Sequence, residues 1–88
     1  MLNDEKKIQN NIEEKINLIW KSILNVKNIS NDENFFDAGG NSLLMSKVHR
    51  EIKKQLDIPV SIIDLFQCPT ITTLSKKIYQ KHLNQSKA

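Results

Sequence analysis

The stretch Asn34-Phe35-Phe36-Asp37-Ala38-Gly39-Gly40-Asn41-Ser42-Leu43-Leu44 holds both glycines of the chain, side by side, and a helical period starts as soon as they are passed. Leu44, Val48, Ile52 and Leu56 follow at intervals of four, so a helix over roughly residues 42 to 56 turns one apolar stripe toward a core. Glycine costs about 0.5 to 1 kcal/mol in an ordered element, so a chain that otherwise avoids it is expected to use the pair for unusual backbone angles or for close approach of another molecule. Ser42 would stand at the helix N-terminus, where free amides and about half a positive charge favour an attached phosphate. On spacing alone a simpler reading stands beside this one. Gly39-Gly40 makes the turn, and Asn41 or Ser42 is an ordinary cap contributing about 1 kcal/mol.

Upstream, Ile8, Ile12, Ile16, Ile19, Trp20, Ile23 and Leu24 recur as one helical face, which places a first helix at about residues 4 to 24 with Asn3 or Asp4 as its cap. Between the two helices the period is lost, and Asn25, Asn28, Asn31, Asn34 and Asn41 favour turns. A connection this long is expected to be functional or disordered, and Val26, Ile29, Phe35 and Phe36, expected to tuck inward, argue for order. Downstream, Ile58 before Pro59 is extended, and Ser61 caps a short turn holding Ile62, Ile63, Leu65 and Phe66. Pro69 disfavours helical geometry at Cys68. Thr70 caps a last helix that turns Ile71, Leu74, Ile78 and Leu83 inward and Lys76, Lys77 and Lys81 outward. No segment alternates as a strand would. The expected fold is all-α, a small bundle of three main helices plus a short extra one, spanning residues 4 to 83 with tails at 1–3 and 84–88. The 84–88 end is expected to fray.

Eighty-eight residues support one core, and a composition 39% hydrophobic and 26% charged, without excess Gly, Pro or Ser, is that of a chain that folds. No apolar run reaches a membrane span and no signal peptide is present, so a cytoplasmic protein without a membrane partner is expected. A single cysteine, Cys68, excludes an internal disulfide, and with only His49 and His82 beside it there is no zinc finger. Cys68 and Trp20 are expected to be packing residues and His49 a surface residue. The net charge of +3 is uneven: residues 1–37 carry five Lys against seven acids, residues 38–88 eight Lys or Arg against three. Five scattered aromatics give no stacking platform, so nucleic-acid binding is retained only as part of a competing reading, a small helical interaction or nucleic-acid-binding module without covalent cofactor.

Catalysis by Ser42 is not expected. The nucleophile elbow G-x-S-x-G fails because Leu44 occupies its last glycine position. His49 lies seven residues along the same helix, a rise of about 10 Å, and His82 is on the last helix, so neither serves as base. A Walker phosphate loop is absent as well.

The string Asp37-Ala38-Gly39-Gly40-Asn41-Ser42-Leu43 resembles the D-x-G-G-x-S-L signature of peptidyl and acyl carrier domains, and Leu65-Phe66-Gln67-Cys68-Pro69-Thr70-Ile71 resembles the family's second landmark. The resemblance covers about residues 8 to 83. It implies that Ser42 is modified with phosphopantetheine from coenzyme A by a separate phosphopantetheinyl transferase, leaving an arm whose thiol holds acyl groups as thioesters. Asp37 then orders the loop or contributes to the transferase's magnesium site, unless it is a solvated loop acid, and Gly39 and Gly40 admit the transferase. A change of Gly40 to Val is accordingly expected to slow modification far more than it lowers stability. The Gly-Gly-Asn-Ser-Leu run resembles peptidyl carriers of nonribosomal peptide synthesis more than fatty-acid carriers. That implies a monomeric, non-catalytic carrier in a nonribosomal peptide or hybrid polyketide pathway. Its partners would be an adenylation or other acyl-activating enzyme and condensation, tailoring or thioesterase enzymes.

On the second helix Leu43, Lys47, Arg50 and Lys54 make a face that is basic below an apolar tip. Leu43, Met45, Lys47 and Arg50 are the candidate partner contacts, with a solvated face and core packing of Met45 as the alternatives. The lack of Pro- or Gly-rich ends leans toward a free-standing carrier.

Overall fold

A computed structural model describes residues 2–86, with side chains from residue 5 to residue 84. Four helices follow in order: α1 (Leu2–Leu24), α2 (Ser42–Leu56), α3 (Ile62–Gln67) and α4 (Ile71–Ser86), and the described residues contain no strand. Helix α1 packs on α4 and α2, and α3 bridges α2 and α4. Helix α1 already includes Leu2, two residues ahead of its expected start; the side chains of Asn3 and Asp4, expected as caps, lie outside the described residues. The expected fraying of 84–88 falls in part outside them too, and α4 runs to Ser86.

The apolar stripes meet in one core. Ile12, Ile16, Ile19 and Trp20 from α1 face Met45, Val48 and Ile52 from α2, Leu65 from α3, and Ile71, Leu74 and Ile78 from α4. Ile8 and Leu83, expected inward, are exposed instead, because each lies beyond the last fully covered residue of its helix, Ile12 and Ile78 respectively. Trp20 is fully buried and meets Phe35 edge to face at 4.9 Å; its indole N–H finds no hydrogen-bond acceptor among the described residues, a cost that the aromatic contact and burial must outweigh.

Helix α1 ends in a left-handed cap. Asn25 adopts φ +58, and the Val26 amide donates back to the Lys21 carbonyl at 3.1 Å, closing the helix as asparagine can at low steric cost. The long loop that follows is held at several points. Asn17 donates to the Ile29 carbonyl (3.1 Å) and to Asn31 Oδ1 (3.3 Å), and the Asn31 carbonyl accepts the Thr72 amide (3.0 Å). The Phe35 amide donates to the Pro69 carbonyl at 2.7 Å. The asparagines of this loop thus supply order, and Phe35 is driven fully into the core.

At the far end of α2, Asp57 forms the left-handed C-cap, and Ile58 and Val60 are buried on either side of exposed Pro59. His49 is half-buried rather than a surface residue, since its Nε2 lies 2.8 Å from the Val60 carbonyl and holds this return strand of chain to α2. Helix α3 begins with the expected Ser61 cap, extended by a reciprocal bond: the Asp64 amide donates to Ser61 Oγ (3.2 Å) and the Ser61 amide donates to Asp64 Oδ2 (3.0 Å). Lys81 of α4 reaches the same carboxylate at 2.7 Å, tying α3 to α4. Burial pushes the Asp64 carboxyl up, but the Lys81 hydrogen bond, the Ser61 amide and the Lys81 charge outweigh it and leave the group below its ordinary range. Thr70 caps α4 as expected, its Oγ1 accepting the Thr73 amide at 3.2 Å.

Candidate functional site

The site is assembled between Asn34 and Leu43. Asn34 Oδ1 accepts the amides of Phe36 (2.8 Å) and Asp37 (3.4 Å), folding the chain back on itself. The amides of Ala38 and Gly40 donate to the carbonyls of Asn34 and Phe35, both at 3.0 Å, and complete a compact turn. Gly39 has φ +107, a conformation that side chains resist, and the space where a Cβ would stand is open. Gly40 is different. A Cβ there would run into ring carbons of Phe35 and lie 2.8 Å from the Phe35 carbonyl oxygen. Gly40 is thus the slot into which the buried Phe35 closes, a packing role that stands beside the admission of the transferase expected of it.

Asn41 begins α2. It has extended backbone angles, and its Oδ1 accepts the Leu44 amide at 2.9 Å, which settles the choice left open between Asn41 and Ser42 as cap. Ser42 is the first residue of the helix, exposed, and its hydroxyl makes no hydrogen bond among the described residues; only its carbonyl is engaged, accepting from Ser46 Oγ at 3.2 Å. No acidic side chain occupies the first turn of α2, so no carboxylate of that turn offsets the positive helix end beside this hydroxyl. Asp37 is exposed, and its carboxylate makes no bond among the described residues; the loop-ordering role expected of it falls to Asn34.

Of the expected partner contacts, Leu43 is 68% exposed and Lys47 and Arg50 are exposed along the same helix, as is Lys54 of the basic face. Met45 is not among them. It is fully buried because α2 turns Met45, Val48 and Ile52 to the core, with Leu44 at the margin. Phe36, expected inside, is 37% exposed and lies parallel to Phe66 of α3 with ring centroids 5.9 Å apart. Ile63 beside it on α3 is also exposed. This apolar surface was not legible as such in the sequence; only the double Phe35-Phe36, of which one ring alone can enter a core already holding Trp20, hinted at it. Cys68 is a free thiol packed at the core margin, as expected. No helix among the described residues is long and apolar enough to cross a membrane.

An all-helical bundle that presents an uncommitted serine hydroxyl on the first turn of its second helix, behind a glycine-bearing turn, has the architecture of a carrier domain. The chain belongs to the family described as the phosphopantetheine attachment site, which matches residues 14–78 and carries phosphopantetheine covalently. It is 38% identical over 69 residues to polyketide synthase PksN of Bacillus subtilis (strain 168), and 38% identical over 63 residues to bacitracin synthase 3 of Bacillus licheniformis. These alignments cover 78% and 72% of the chain but 1% of either relative, so the chain spans a very small part of each. Among solved structures it resembles the peptidyl carrier protein in a complex of the phosphopantetheine transferase Sfp with coenzyme A, with TM-score 0.74 and 29% identity over 78% of this chain and 90% of that one. The residues present fit the group. An exposed, unbonded hydroxyl is available for attachment, the helix end favours the phosphate, and the space over Gly39 is open.

Proposed function

We propose that Ser42 is the attachment residue and that the chain is a non-catalytic carrier of aminoacyl, peptidyl or acyl groups in nonribosomal peptide or hybrid polyketide assembly. The observation that carries this is the division of labour at the start of α2, where Asn41 satisfies the helix end and leaves the Ser42 hydroxyl exposed and unbonded. The phosphopantetheine arm, when attached, supplies the thiol on which cargo is held as a thioester and the reach to deliver it. The chain's own residues do the rest. The amides and dipole of α2 favour the phosphate, Asn34 and Gly39 shape the turn, and Phe35 anchors it to Trp20. His49 lies seven residues along α2 from Ser42, a rise of about 10 Å, and engages the Val60 carbonyl, so it is not placed to activate that hydroxyl, and the modification is assigned to a separate phosphopantetheinyl transferase with coenzyme A.

Adenylation or other acyl-activating, condensation, tailoring and thioesterase enzymes are the further partners of this reading. Leu43, Lys47 and Arg50 would meet them because these exposed residues adjoin Ser42 on the same helix. Relatives among peptide and polyketide synthases support the pathway class. The test is incubation with coenzyme A and a broad-specificity transferase, followed by intact mass. One phosphopantetheine is expected on the wild type and none on Ser42→Ala; full modification of Ser42→Ala, or none of the wild type with several active transferases, would contradict the reading.

A further inference from the structure

We propose that Asn41 is a positioning residue for Ser42: by holding the N-cap of α2 it fixes the serine one residue inside the helix with its hydroxyl free. The inference rests on Ser42 being the attachment residue. Asparagine and serine both rank among the preferred N-cap types, so two adjacent residues compete for one structural position. Asn41 wins it here. Its backbone is extended (φ −150, ψ −178), its Oδ1 takes the Leu44 amide at 2.9 Å, and its carbonyl takes the Met45 amide at 2.9 Å.

If the helix began one residue later, Ser42 would have to become extended, and its Oγ would accept the Met45 amide that the Asn41 carbonyl now holds. The hydroxyl would then be drawn back over the helix end and occupied by that amide. Nothing before Asn41 can prevent that shift. The buried Phe35 ring and the bond from the Gly40 amide to the Phe35 carbonyl (3.0 Å) fix the chain as far as Gly40, which leaves Asn41 as the one residue between this anchor and the serine.

The experiment compares wild type with Asn41→Ala, Asn41→Asp, Asn41→Ser and Ser42→Ala, measuring transferase kinetics with the carrier as varied substrate and backbone NMR of the unmodified proteins. Loss of the cap is expected to lower kcat for modification of Asn41→Ala about five-fold while KM stays within about two-fold, because Leu43, Lys47 and Arg50 still present the same face. The Ser42 Cα shift should move away from its helical value and Leu44 amide exchange should rise about five-fold. Asn41→Asp and Asn41→Ser, which can cap, should restore both kcat and the shift. A residue that only stabilises the fold would leave the Ser42 shift and kcat unchanged well below the melting temperature. Unchanged kcat in Asn41→Ala, a Ser42 shift that stays helical, or failure of both capping variants to restore the rate would each overturn the proposal. If Ser42→Ala is still modified, the attachment reading fails and this one with it; if Ser42→Ala is inert and Asn41→Ala behaves as wild type, only the positioning role fails.

Discussion

At Gly40 the physical roles of the two neighbouring glycines separate. Gly39 needs its positive φ and faces open space, whereas Gly40 is needed because Phe35 fills the volume a side chain would take. Gly40→Ala should therefore destabilise the fold by about 1 to 3 kcal/mol, the usual cost of overpacking, and lower the melting midpoint by about 4 to 8 °C per kcal/mol. Thermal unfolding by circular dichroism of the unmodified protein checks this, and a midpoint equal to wild type would refute the Phe35 slot. The larger Gly40→Val should lose stability at least as severely, so a slowed modification of that variant reports partial unfolding rather than a blocked approach. The sequence showed that the glycines were unusual. It could not show which one abutted a side chain, because Phe35 is adjacent to Gly40 only after the Asn34 turn has folded.

Helices α2 and α3 carry the next level of consequence. The four-residue spacing of Leu44, Val48, Ile52 and Leu56 was enough to place α2, but the centre of its buried face falls on Met45, Val48 and Ile52. Met45 and Leu44 lie 100° apart on either side of the Val48 and Ile52 line, and packing against α1 and α3 decides which of the two is fully covered. Leu43 lies on the side of α2 away from Val48 and Ile52, so it should act through burial at an interface, whereas Lys47 and Arg50 should act through charge. Reversing Lys47 and Arg50 to Glu should slow loading of the phosphopantetheine-bearing protein by its activating enzyme most at low salt. Leu43→Ala should weaken loading at all salt concentrations. Loading rates unchanged across a salt series for both variants would remove α2 as the docking face.

Helix α3 is held by the Ser61–Asp64 reciprocal cap and Lys81, a device readable as Ser-Ile-Ile-Asp in the sequence, where only the serine half was recognised. Because the folded pKa of Asp64 lies below its unfolded value, its stabilising contribution is complete above about pH 4 and is lost as pH falls through the lowered value. Asp64→Asn should cost about 1 kcal/mol at neutral pH and flatten the fall in stability below about pH 4. Urea midpoints over that range give the answer, and parallel acid limbs for the two proteins would contradict it.

Across the whole molecule, the bundle was legible because each main helix carries its own apolar period, and the long connection was legible as ordered from its apolar anchors, of which Phe35 is fully buried. What the sequence withheld depends on tertiary placement: Phe36 is left outside because Phe35 and Trp20 already fill the space beneath the turn, His49 is drawn in by the returning Val60 carbonyl, and Ile8 and Leu83 lie past the reach of the core. The candidate serine was visible from the glycine pair and the helix start, but its freedom from capping required the observed Asn41 bond. All of these elements converge on the claim that one particular hydroxyl carries the arm. The most direct measurement is fragmentation mapping of the peptide spanning residues 41–50 after transferase treatment, since it also contains Ser46, exposed one turn along α2 and bonded to the Ser42 carbonyl. The predicted result is phosphopantetheine on Ser42 alone with Ser46 unmodified; modification at Ser46 or at a residue outside this peptide would contradict the account.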